Sequence, residues 1–148
     1  MWRCKSFLGM SSSRYLEILE ESGLNLLVFS GGEIVFSSGS RGIMPLIEAI
    51  DGLDRGGFGE LVTADRIVGR AAALLNIHLG VSEVHAMLIS AGAKEMLHKY
   101  GIVFQFREET DAIKLKDGVI FCPFERLVQG ISDPEEAYVK VKAKLGEM

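Results

Sequence analysis

Apolar positions first recur along the chain at helical spacing. From Ser12 or Ser13, Tyr15, Ile18 and Leu19 share one face and Glu17, Glu20 and Glu21 the other until Gly23 stops the run, which predicts an amphipathic helix. The period then shortens. Leu26-Leu27-Val28-Phe29 and Ile34-Val35-Phe36 flank Gly31-Gly32, a pair able to take the positive φ of a tight turn, which predicts a β-hairpin. After the loop from Ser37 to Gly42, Met44, Leu46, Ile47 and Ile50 predict a second helix with Pro45 in its first turn, broken between Gly52 and Gly59.

From about Asp65 to Ile77 the pattern predicts a third helix, charged at its start and apolar on nearly every side, and therefore buried. Val84 to Ile89 is an apolar run of strand length. Ser90 then caps a helix with Ala93, Met96, Leu97 and Tyr100 on one face, ended by Gly101. Ile102 to Phe106 predicts a strand, and so does Val119-Ile120-Phe121 after Asp117-Gly118. The last helix carries a capping box from Ser132 to Glu135, Pro134 in its first turn, and Tyr138, Val141 and Leu145 on one face. Strands alternating with helices after a hairpin imply an α/β fold, a three-layer α/β/α sandwich around a mixed central sheet. In such sheets ligands collect beyond the carboxyl ends of parallel strands.

Composition narrows the function classes. The 148 residues suit one domain, read as 12–148, preceded by a short extension over 1–11. Apolar residues make up 48% and charged residues 24%, with a mean hydropathy of +0.24, the balance of a folded globular protein with a large buried fraction. A net charge of -4 with interleaved signs disfavours nucleic acid as a partner. Cys4 and Cys122 form neither a CxxC pair nor a disulfide framework, so a reducing, cytoplasmic location is expected. No apolar stretch is long enough for a signal peptide or membrane span.

Three ordered motifs carry a family resemblance: Arg41-Gly42-Ile43-x-Pro45, the run from Ala64-Asp65 to Val68-Gly69-Arg70-Ala71-Ala72-Ala73, and Cys122-Pro123-x-Glu125-x-Leu127 before Asp133-Pro134-Glu135-Glu136-Ala137. From about Leu24 onward the chain resembles DUF1893, a small prokaryotic family of unknown function whose structural relatives look like the cytidine deaminase fold. The resemblance implies a cytidine deaminase-like sheet with a buried central helix. Zinc-dependent deaminases place His or Cys followed by Ala-Glu at the start of that helix, and Pro-Cys-x-x-Cys at the start of the next. Here those positions are read on Asp65, with Ile67 where Glu is needed, and on Ser90-Ala91-Gly92-Ala93. His78, His85 and His98 fall on unrelated faces, so neither a metal site nor a cofactor is expected.

The remaining candidates each have a chemical and a structural reading. Asp65 is a general base at the mouth of the sheet, or a helix cap accepting backbone N–H bonds, a role Thr63 could take instead. Arg70 holds an anion, or ion-pairs with another element. Ser90 opens a helix whose free N–H groups suit an anion, or is an ordinary cap. Ser38 to Gly42, with Arg41, is a second possible anion cradle, though it lacks the Lys-Ser/Thr ending of a P-loop. Cys122 is a nucleophile or a small buried residue, and Glu125 an acid/base partner or a helix stabiliser.

The leading expectation is a zinc-free ligand-binding domain whose cleft, formed by Arg41, Gly42, Asp65, Arg70, Ser90, Cys122 and Glu125, takes a small anionic or nucleotide-like molecule. A metal-free enzyme in which Cys122 attacks and Asp65 or Glu125 moves protons is the second, and an inert regulatory or interaction module the third. A homodimer is the default assembly, which nothing in the sequence selects.

Overall fold

The computed structural model describes residues 12–113 and 122–147. The expected strand at Val119-Ile120-Phe121 and the extension over 1–11 lie outside the described residues. The chain runs α1 (Ser12–Ser22), β1 (Leu26–Ser30), β2 (Glu33–Ser38), α2 (Met44–Gly52), β3 (Val62–Val68), α3 (Arg70–Leu79), β4 (Glu83–Ser90), α4 (Ala91–Lys99), β5 (Val103–Thr110), α5 (Pro123–Leu127) and α6 (Pro134–Gly146). The described strands form one sheet in the order β2-β1-β3-β4-β5. β1 lies antiparallel to both β2 and β3, whereas β3, β4 and β5 are parallel, so the sheet is mixed.

The predicted hairpin forms around Gly31 and Gly32, both at positive φ, where a side chain would be strained. Alternation along β1 then divides the core. Leu26 and Val28 join the cluster built with α2, α3, α4 and α6, while Leu27 and Phe29 pack with Tyr15, Leu16 and Leu19 of α1 and with Ala64 of β3.

The largest departure from the sequence reading concerns the third helix. Residues 62–68 form a strand and the helix begins only at Arg70, so the expected start at Asp65 is wrong by five residues. Four of the seven strand positions, Val62, Thr63, Ile67 and Val68, are β-branched, and such side chains lose rotamer freedom in a helix but pack well on a pleated surface. Gly69 separates this run from the alanines that follow. From Ala71 to Asn76 every α3 residue is buried, as is Leu79, so the expectation of a buried helix is met once its start is moved. Thr63, weighed as a helix cap, instead donates its hydroxyl proton to Asn76 Oδ1 at 2.7 Å, and the Asn76 amide donates to Ala72 O at 2.9 Å. This pairing satisfies two buried polar side chains between β3 and α3.

A smaller correction applies to α6. Its cap is Asp133, which accepts from Glu136 N at 2.8 Å, and not Ser132 as the capping-box spacing predicted. Both residues are good caps by type, so the pattern alone does not separate them.

Candidate functional site

Three parallel strands end side by side at Val68, Ser90 and Thr110, and α3 and α4 start directly after the first two. The backbone must turn sharply there. It leaves a cleft of about 240 Å³ lined by Gly42 and Ile43 ahead of α2, Ile67 of β3, Gly69, the first turn of α3, and Ile113, Cys122, Phe124 and Glu125. A second hollow of about 150 Å³ adjoins it and shares Ile113 and Glu125; Arg70, Ser90, Gly92, Asp111 and Gln129 add polar groups to its wall.

Glu125 sits at the centre of the arrangement. Gly69 supplies no side chain to cap α3, and the Glu125 carboxylate, reaching from α5, accepts the Arg70 N–H at 2.8 Å on one oxygen and the Ala71 N–H at 2.7 Å on the other. A negative charge at this end also opposes the helix dipole. The glycine is required by proximity: a Cβ built on Gly69 would stand 2.6 Å from the Glu125 carboxyl carbon. Glu125 therefore stabilises a helix start, as one of its two readings held, but the helix is α3 and not its own.

Arg70 is anchored in place. Its guanidinium donates to the carbonyls of Ile131 at 2.6 and 3.1 Å and Val128 at 3.3 Å, reaches Ser132 Oγ at 3.3 Å, and pairs with Glu95 of α4 at 3.3 Å. The ion pair with another element is thus observed, and the fork ties α3 to the chain that follows α5. Ser90 is buried and accepts the Ala93 N–H at 3.0 Å, the ordinary cap of α4. The loop from Ser38 to Gly42 already holds a carboxylate: the hydroxyls of Ser38 and Ser40 donate to Glu48 Oε1 and Oε2 at 2.5 and 2.8 Å. Arg41 is exposed and does not line the cleft, whereas Gly42, at a φ of +62°, does.

Asp65 stands apart from this group. It occupies the middle of β3 opposite Leu26 and Ala86, is 8% exposed, and does not line the cleft. Burial pushes its carboxyl up to about 7, against the opposing effect of the backbone N–H groups of Arg66 and Ile67 that bond to it. The expectation that Asp65 opens a helix at the mouth of the sheet fails because that stretch is a strand. Cys122 is half-buried, lines the cleft and immediately precedes α5.

The histidines are dispersed. His78 stacks on Tyr138, His85 is buried beside Tyr15 and Glu83, and His98 is exposed. Among the described residues no group of three or more His, Cys, Asp or Glu side chains could hold a metal ion. No helix there is long and apolar enough to cross a membrane.

Sequence reasoning missed Ile67, Ile113, Phe124, Gly69 and Glu48 as contributors. Gly69 at the strand-to-helix junction was the available signal. What it makes room for lies 56 positions further along the chain, at Glu125.

Residues 14–145 match the family described as a domain of unknown function, DUF1893 (TM1506). The chain belongs to the DUF1893 family. A crystal structure of a DUF1893 family protein, TM1506 from Thermotoga maritima, is similar to it at 34% sequence identity and a TM-score of 0.78, covering 87% of this chain and 86% of that one. No curated protein matches the chain. The DUF1893 membership expected from the three motifs is thus shown, together with an α/β fold built on a mixed sheet.

Proposed function

We propose that this DUF1893 protein binds a small molecule in the cleft between the first turn of α3 and Cys122–Phe124, without zinc chemistry. The observation that carries the reading is the cleft's position, beyond the carboxyl ends of parallel strands and walled by apolar and small side chains around one carboxylate. Of the expected ligand classes, a nucleotide-like molecule agrees with apolar walls that can hold a flat ring. Helices packed against both alternations of β1, and the order hairpin, helix, strand, buried helix, strand, helix, strand, support a three-layer, cytidine deaminase-like arrangement.

Within that arrangement the zinc-binding positions would fall at the starts of α2, the helix after the hairpin, and α3, the helix after the next strand, which both border the cleft. Arg41-Gly42-Ile43-Met44 and Gly69-Arg70-Ala71-Ala72 offer neither thiol nor imidazole there, and two α3 amides are bonded to Glu125. These residues do not fit zinc.

A thermal-shift panel of nucleosides, nucleotides and phosphorylated metabolites tests the reading. At least one should raise Tm in a saturable way, and Ile67→Trp, which fills the cleft from its rim, should abolish the rise. Flat curves across the panel at millimolar concentration would overturn it and favour an inert regulatory or interaction module.

A second reading is favoured by one observation: Cys122 and Glu125 line the same cleft, as a nucleophile and its acid/base partner would. Asp65 has no part in it. If Cys122 is a nucleophile, iodoacetamide should alkylate it faster than a model thiol across neutral pH, and a rate equal to or below the model's removes this reading.

A further inference from the structure

Among the described residues the cleft's lining carries charge of one sign. That lining includes a single acidic side chain, Glu125, amid Ile43, Ile67, Ile113, Cys122 and Phe124, and no Lys, Arg or His. Arg70, which stands between the lining residues Gly69 and Ala71, lines the neighbouring hollow instead, with its guanidinium bonded to the Val128 and Ile131 carbonyls and to Glu95. Two of the places that could have received an external anion are each filled by a carboxylate of the chain itself, Glu125 at the start of α3 and Glu48 between Ser38 and Ser40, and the third, the start of α4 at Ser90, opens on the neighbouring hollow. An incoming anion would meet Glu125 in a low-dielectric wall, where like charges repel strongly.

Glu125 keeps capacity to accept. Each carboxylate oxygen takes one α3 amide, and an ionised carboxylate offers about four lone-pair directions in all. The amides also hold the group still, so a ligand that bonds to it need not order it first.

We infer that the cleft selects a neutral or cationic molecule with an apolar ring and an N–H donor end, an amidine or an aminated heterocycle, and that Glu125 is the residue that recognises that end. The same carboxylate disfavours phosphorylated and carboxylated molecules, so within the nucleotide-like class the unphosphorylated members, bases and nucleosides, are the ones expected to bind. The inference rests on the cleft being a binding site, and it replaces the anionic half of the ligand class expected from the sequence with its opposite.

Benzamidine and benzoate test it as a pair, since they share a ring and differ in the sign of the end group; benzyl alcohol serves as the neutral control. Titrations of the folded protein followed by amide NMR shifts of Ile67, Gly69 and Ala71 should give benzamidine an affinity at least tenfold above that of benzoate. Glu125→Gln should remove most of that preference. Because that variant weakens the α3 cap, Ile67→Lys provides a second test: Ile67 is 52% exposed on the rim, so the substitution leaves the core intact and should shift the preference toward benzoate. Equal or tighter binding of benzoate or benzyl alcohol to the unaltered protein would overturn the donor inference while leaving the cleft a binding site. If none of the three rings moves those amides, both readings fall.

Discussion

Asp65 shows how far one residue's surroundings can reverse its chemistry. On an exposed helix start its carboxyl would stay ionised; inside β3, burial raises it to about 7, so the folded chain holds a proton there that the unfolded chain has lost. The folded value lies above the unfolded one, so the neutral acid's contribution is complete at pH below the ordinary Asp range and is lost as pH rises through about 7. Urea unfolding at pH 5, 6.5 and 8 should therefore show stability falling as pH rises, by on the order of 3 kcal/mol over the full window. Asp65→Asn, which carries no titrating proton, should flatten that dependence, and an equal slope in both proteins would remove Asp65 as its source. The same burial makes Asp65 a poor general base, since nothing in the described cleft reaches it.

At the scale of elements, helix starts decide how the site is built. α3 has no cap of its own and borrows one from α5, so Gly69 and Glu125 act as a unit. Gly69→Ala and Glu125→Ala should each destabilise the fold by about 1–2 kcal/mol, the usual size of a lost helix cap. Because either change removes the same contact, the double variant should cost about as much as one single, and a fully additive cost would show the two to be independent. α6 provides a contrasting case with a local cap. Asp133→Ala should lower its stability by about 1 kcal/mol, measured by thermal or urea unfolding, because it frees the Glu136 N–H. The capping-box assignment would place that loss at Ser132, whose hydroxyl instead meets Arg70.

At the scale of the whole molecule, the helices are unequal partners. α3 is enclosed by α2, α4 and α6 against the sheet, whereas α1 rests on β3 and β4 through Tyr15, Leu16 and Leu19. Exposed ion pairs such as Arg107 with Glu20, 3.4 Å apart, add little to that attachment. Native-state hydrogen exchange should accordingly find the α3 amides exchanging only with global unfolding, while α1 amides exchange through a smaller opening that denaturant affects weakly. Matching exchange free energies in the two helices would contradict this division.

The sequence by itself determined the local elements whose signals are short-ranged: the Gly31-Gly32 hairpin, the amphipathic α1, Pro45 opening α2, and the Ser90 cap of α4. It also determined the family, through motifs read in order along the chain. It misplaced the start of α3 because Ile67 and Val68 match a helical apolar pattern as well as a strand, and only pairing with β1 and β4 separates the two. The site itself was decided by the tertiary structure. Glu125, Glu48 and Asp65 are all carboxylates in sequence, and their roles differ because one meets α3 amides, one meets two serines, and one is enclosed in the sheet. Dielectric surroundings and hydrogen-bond partners fix what a carboxylate does, and both are set by residues distant along the chain.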